Sequence, residues 1–153
     1  MICFSWKGGS VLKNAIILLC LVCLLLTGCN PLDTRMDKET IFSRVQENQE
    51  LILFCIENKD FSLLSGKFAV SDISLKDDHV DFDCGGAGFG SQTAYRGFFY
   101  SEDEDLYAVW CAPPSGSALT SQNAGFFWKE AVGDNTYYVE KICDGFFYYE
   151  GTF

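Results

Sequence analysis

The chain has 153 residues, 48% of them hydrophobic and 16% aromatic, enough for one domain with a real apolar core. Only 3 residues are proline, and this composition excludes a disordered chain. A net charge of -10, with no cluster of Lys or Arg, excludes a nucleic-acid binder, which needs a basic stripe to displace counterions from phosphates.

Residues 1–28 read as a signal peptide. Lys7 and Lys13 are the only charged side chains there, and an apolar run extends from Ala15 to Leu26. That run is shorter than the roughly 20 residues that span a bilayer as a helix, and it matches a signal-peptide apolar region. It ends in Leu26-Thr27-Gly28-Cys29, which resembles the lipobox of bacterial lipoproteins. The resemblance implies cleavage between Gly28 and Cys29, with small side chains admitting the peptidase. It also implies a diacylglyceryl thioether on Cys29. Two or more acyl chains anchor a protein durably where one does not. The alternative is an uncleaved apolar anchor in which Cys29 is incidental. Cleavage would remove two lysines and no acids, taking the net charge from -10 to -12.

Residues 29–37 follow as a polar, lipidated tether containing Pro31, and residues 38–153 as a single α+β domain. Asp37 to Asn58 predicts a helix. Asp37 can cap it, Glu39 suits the positive end of its dipole, and Ile41, Val45, Ile52 and Ile56 share one face with Cys55. Asn48 falls on that face too, where its amide would need sheet backbone, water or a pocket as a partner. Beyond Phe61 the pattern alternates. Strands are expected at Ser71–Lys76, His79–Cys84, Tyr95–Tyr100, Leu106–Cys111, Gly125–Ala131 and Thr136–Ile142, with Gly145–Phe153 as a last strand or a continuation. Residues 101–105 and Gly133-Asp134-Asn135 read as hairpin turns, and Ala112–Asn123 as a loop. The sum is one N-terminal helix packed on an antiparallel meander sheet of five to seven strands.

Gly85, Gly86, Gly88 and Gly90 invite a phosphate-loop reading. Such a loop needs a helix after it, or a Gly-Lys-Ser/Thr ending, and here an aromatic strand follows. The run is a long hairpin connection, with one lip of a groove as its sharper role. Cys55, Cys84, Cys111 and Cys143 allow up to two disulfides in three connectivities. The pairing Cys55 with Cys84, leaving Cys111 with Cys143, is one; four buried thiols are the alternative. No Cys-x-x-Cys accompanies them in residues 29–153, so neither a metal site nor a cofactor is expected.

His79, Asp81 and Asp83 alternate, so they share the strand face opposite Val80, Phe82 and Cys84. A histidine with two carboxylates could hold a divalent metal or run acid–base chemistry; a solvated strand face is the plainer reading. Glu102-Asp103-Glu104-Asp105 lacks the spaced ligands of a calcium loop and reads as an acidic hairpin tip. The aromatic runs are more unusual. Phe98-Phe99-Tyr100, Phe126-Phe127-Trp128, Tyr137-Tyr138 and Phe146-Phe147-Tyr148-Tyr149 put rings on both sheet faces, and one helix covers only one. The other face is either a second core layer or a ring-lined binding surface. Tyr95, Phe98, Tyr100, Trp110, Trp128 and Tyr138 are the candidate binding rings.

Two segments, 88–110 and 133–153, together with the lipobox, resemble small lipoproteins of gut Firmicutes, mostly Clostridia, with no known activity. The resemblance implies a Gram-positive cell surface and carries over no catalytic or binding residue. The expected protein is a lipid-anchored module on the extracytoplasmic face of the cell membrane. Its expected ligand is a cell-wall, glycan or protein partner. The alternative is a small metal-assisted envelope hydrolase using His79, Asp81 and Asp83.

Overall fold

The computed structural model describes residues 36–88 and 93–153. The signal peptide, Cys29, most of the tether and residues 89–92 of the glycine loop lie outside the described residues. Among the described residues one α-helix, α1 (Lys38–Asn58), precedes seven strands: β1 (Asp72–Leu75), β2 (His79–Ala87), β3 (Ala94–Ser101), β4 (Thr120–Gln122), β5 (Gly125–Lys129), β6 (Thr136–Cys143) and β7 (Phe146–Thr152). They form one antiparallel sheet in the order β1-β2-β3-β7-β6-β5-β4. The fold is therefore α+β and mostly β. Two meanders, β1–β2–β3 and β4–β5–β6–β7, join through the β3–β7 pair.

α1 begins where its cap predicts: an Asp37 carboxylate oxygen accepts from the Thr40 amide at 2.8 Å. It ends at Lys59 in the left-handed region (φ 52°), whose N–H reaches the Cys55 and Ile56 carbonyls. Ile41, Val45, Ile52 and Cys55 are buried against the sheet, with Ile56 partly so. Asn48 does not reach the sheet. Its amide donates to the Arg44 carbonyl at 2.8 Å, at a point where the helix backbone departs from helical angles. Met36, near the end of the expected tether, is buried, and its N–H donates to the Cys84 carbonyl at 3.2 Å.

β7 is central and explains the aromatic runs. Phe146 and Tyr148 face α1, packing with Phe82, Phe98 and Ile142. Phe147 and Tyr149 face the other way, with Phe99, Tyr137 and Val139. All four β7 rings are buried, so both faces of the sheet are core. The second face is closed by residues 102–119, which contribute Leu106, Ala108, Val109, Cys111 and Leu119. This corrects the expected strand Leu106–Cys111. The segment runs as turns because β3 already pairs with β2 and β7, leaving no free edge for it. Glu102–Asp105 accordingly leads out of β3 rather than capping a hairpin. A short exposed strand, β4, appears inside the expected Ala112–Asn123 loop.

The covering segment is pinned by polar groups aimed at its backbone. The Tyr137 hydroxyl donates to the Leu106 carbonyl at 2.8 Å, and the Tyr107 hydroxyl to the Ser117 carbonyl at 2.5 Å. Tyr137→Phe is expected to cost about 1 kcal/mol, the net worth of one such bond plus a carbonyl left unpaired. Amide exchange should quicken selectively in residues 102–119; unchanged exchange there would show that the apolar contacts alone hold the segment.

All four described cysteines are free thiols. Cys55 and Cys84 lie in the helix-side core, but Cys111 lies under the covering segment while Cys143 packs on the helix side. The sheet stands between these last two, so the pairing of Cys111 with Cys143 does not form. Burial pushes the Cys84 thiol up to about 12 and raises Cys111 further, which keeps both as inert apolar groups.

Candidate functional site

β1 and β2 are paired so that Ile73 and Leu75 oppose Phe82 and Val80 on the helix side. The period of two then sends Asp72, Ser74, His79, Asp81 and Asp83 to the other face. There Asp83 opposes Asp72, and Asp81 opposes Ser74. The covering segment reaches only part of this area. Between it and the two strands lies a cleft of about 470 Å³ whose lining includes Asp72, Asp81 and Asp83 on the sheet side and Asp105, Tyr107 and Trp110 on the covering side. His79, Asp78 and Lys76 border the same space.

The three candidates His79, Asp81 and Asp83 thus share one cleft, in different states. The imidazole Nδ1 of His79 sits 2.7 Å from an Asp78 carboxylate oxygen, so its partner is its neighbour in the β1–β2 turn. That contact holds the Asp78 carboxyl below its usual range. A carboxylate oxygen of Asp83 accepts from the Gly85 amide at 2.7 Å, at the start of the irregular pairing that leads into the glycine loop.

Asp81 is the unusual group. It is only 4% exposed, and its Oδ1 has no hydrogen-bond partner among the described residues. Burial pushes its carboxyl up to about 6. The Tyr149 hydroxyl lies near enough to favour the charged form, and His79 does the same more weakly; Asp83 and Asp72 oppose it. Yet Tyr149 Oη also closes no hydrogen bond in this geometry. A buried acceptor without a donor costs about 1–3 kcal/mol, more for a charged one, so Asp81 is not explained as part of the packing. The plainer reading, a solvated strand face, fits half-buried His79 and Asp83 better than it fits Asp81.

The candidate rings are dispersed. Phe98 is fully buried and stacks on Phe82, with centroids 4.5 Å apart. Tyr100 and Tyr138 also lie on the helix side, and Tyr138 frames the Lys38 ammonium at 5.1 Å from its centroid. Burial works against charge on Lys38, but Glu140 beside it outweighs this and raises its pKa. Trp128 packs at the far end of the second face. Tyr95 and Trp110 do meet, edge to face at 4.9 Å, with Phe153 5.6 Å beyond. Trp110 remains 56% exposed and lines the cleft.

No group of three or more His, Cys, Asp and Glu is placed to hold a metal ion among the described residues. What the arrangement offers is a walled recess with carboxylates at its floor, an unmet acceptor buried in that floor and an indole at its rim. Sequence reasoning found the β2 residues and Trp110 but missed Asp72, Asp105 and Tyr107. Asp72-Ile73-Ser74-Leu75 alternates in phase with His79–Asp83 across a short turn, which was a usable signal for Asp72. Asp105 and Tyr107 reach the site through a long-range fold-back that carries no periodicity. Comparison of the chain with known protein families, with curated proteins and with solved structures found no match.

Proposed function

We propose that this chain is a lipid-anchored extracytoplasmic protein of a Gram-positive cell envelope, and that it binds a ligand in the Asp81–Trp110 cleft. The observation that carries the binding reading is the buried, unpartnered Asp81 oxygen in a recess rimmed by an exposed indole. Small-ligand sites combine concavity, a ring surface and a few converging polar groups. The envelope reading is supported by the apolar run and the Leu26–Cys29 box. The competing reading, a metal-assisted hydrolase, needs a ligand set that His79, Asp81 and Asp83 do not assemble here.

Two experiments test the two halves. Cys29→Ser, expressed in a Gram-positive host, should abolish labelling by radioactive palmitate and leave the chain uncleaved, 28 residues longer than the processed form. Persistent labelling would remove Cys29 as the lipid site. For the cleft, thermal melting of the full chain in detergent should be followed against cell-wall fragments, glycans and divalent metals. A ligand at a hundredfold excess over Kd adds about 2.7 kcal/mol. The shift should vanish in Trp110→Ala; a shift indifferent to that change places the ligand elsewhere.

A further inference from the structure

We infer that the cleft selects an organic cation, an ammonium or guanidinium group carried on a compact apolar or ring-shaped body, with the charged head beside Asp81 and the body against Trp110. The inference rests on the cleft being the ligand site and adds the class of ligand.

The charge around the recess comes first. Five aspartates line it, Asp72, Asp78, Asp81, Asp83 and Asp105, against one lysine, Lys76. Asp78 is engaged by His79, and one oxygen each of Asp83 and Asp105 accepts a nearby backbone N–H, from Gly85 and Tyr107. Those bonds leave the negative field in place, and low-dielectric walls concentrate it. An anionic ligand would be repelled. The unmet group comes second. Asp81 Oδ1 is an acceptor that the nearby Tyr149 hydroxyl does not pair with in this geometry, so its complement is a donor. A neutral hydroxyl could donate, but only a cation would also relieve the mutual repulsion of Asp81 with Asp72 and Asp83.

The rim narrows the choice between metal and organic cations. A hard metal ion takes several oxygens at once, and no such group of ligands is assembled among the described residues. Trp110 offers instead the ring type that best attracts an organic cation, and its apolar body suits a sugar ring or an aliphatic carrier. Tyr95 and Phe153 contact the indole and limit the orientations it can take. Ring and carboxylates together form the pattern that recognises amines: one surface for the carrier, one oxygen for the head.

The test uses isosteric pairs differing in charge. Cyclohexylamine and cyclohexanol, and glucosamine and glucose, are titrated into the full chain in detergent near neutral pH, with calcium chloride as a separate probe. The expected result is at least a tenfold tighter Kd for the charged member of each pair. That preference should be lost in Asp81→Asn, and both members should weaken in Trp110→Ala, a change at an exposed side chain that spares the core. Equal affinity within each pair, still lost in Trp110→Ala, overturns the cation selectivity and leaves the cleft as the site. Charged probes that bind with no dependence on either residue overturn the cleft reading itself. Binding of calcium alone, or of no probe, overturns the organic-cation class, and the cell-wall fragments then decide the cleft independently.

Discussion

Asp81→Asn is expected to stabilise the protein at neutral pH and to have no such effect below about pH 4, where the carboxyl is protonated in both states. In the unfolded chain the carboxyl titrates near 3.8; in the fold, burial first and the Asp83 and Asp72 charges after it push it up to about 6. An acid whose folded pKa is the higher one favours the fold while protonated. Its contribution is complete below 3.8 and is lost as pH rises through about 6. The separation of about two units corresponds to roughly 3 kcal/mol above that window. For a chain of this size that is on the order of 10 °C in melting midpoint. Other carboxyls act in the opposite sense: Asp37, Asp60, Asp78 and Glu140 are all lowered in the fold. The measurement is therefore the difference between the two proteins, taken by urea unfolding from pH 3.5 to 8. A difference that grows between pH 4 and 7 is the expected result. A constant difference would assign the effect to amide packing, and no gain at pH 7.5 would mean that Asp81 finds a donor in solution. The same residue is required for the proposed ligand. A site that costs stability until it is filled is the usual trade between stability and function.

Gly97→Ala is expected to destabilise the fold by about 3 kcal/mol, the upper end of what overpacking costs. Gly97 lies in the middle of β3, paired with Asp83 of β2 and Tyr149 of β7. A Cβ there would stand 2.4 Å from the Phe82 carbonyl oxygen and 2.7 Å from the Tyr149 hydroxyl. The first neighbour is backbone and cannot swing aside, so the strand must shift. The second holds the ring that borders Asp81. Unfolding in urea should show the loss, and Tyr149→Phe in the same chain should recover only part of it, because the contacts with the carbonyl and with the ring carbon 2.8 Å away remain. A loss under about 1 kcal/mol would indicate that β2 and β3 separate without cost, against the usual rigidity of packed interiors. Weakened ligand binding in Gly97→Ala at temperatures where it is folded would tie this close approach to the shape of the cleft.

The fold was legible where its signal is local. The α1 cap at Asp37, the helix face of Ile41, Val45, Ile52 and Cys55, and the turn at Gly133-Asp134-Asn135 depend on residues within a few positions of each other. All three stand in the structure. The glycine run departs from its reading in part: Gly85 and Gly86 continue β2 to Ala87 instead of standing in the connection, Gly85 and Gly88 take positive φ (93° and 132°) where a side chain would be strained, and Gly90 lies outside the described residues. The segment from Leu106 to Cys111 was misread for a physical reason. Its apolar residues satisfy a strand pattern, but whether such a run pairs or lies flat as a cover depends on which sheet edges are free. That is settled by β7, which begins 35 residues after Cys111. The pairing of Cys111 with Cys143 failed in the same way, since which side of a sheet a loop cysteine reaches is not a local property; Cys55 and Cys84 do share the helix-side core, as free thiols.

For the site, the sequence by itself determined that His79, Asp81 and Asp83 share one face of β2, because side chains alternate along any strand. It also determined that rings would populate both sides of the sheet, since Phe146 to Tyr149 are consecutive. Only the tertiary structure decided that the second ring layer is core, that Asp81 is buried while Asp72 on the neighbouring strand is exposed, and that Trp110 alone among the candidate rings is an exposed ring on the cleft wall. Those outcomes turn on where residues 102–119 come to rest. Burial is a sum over neighbours brought from across the chain, and it is burial that separates an ordinary surface carboxylate from one that needs a partner.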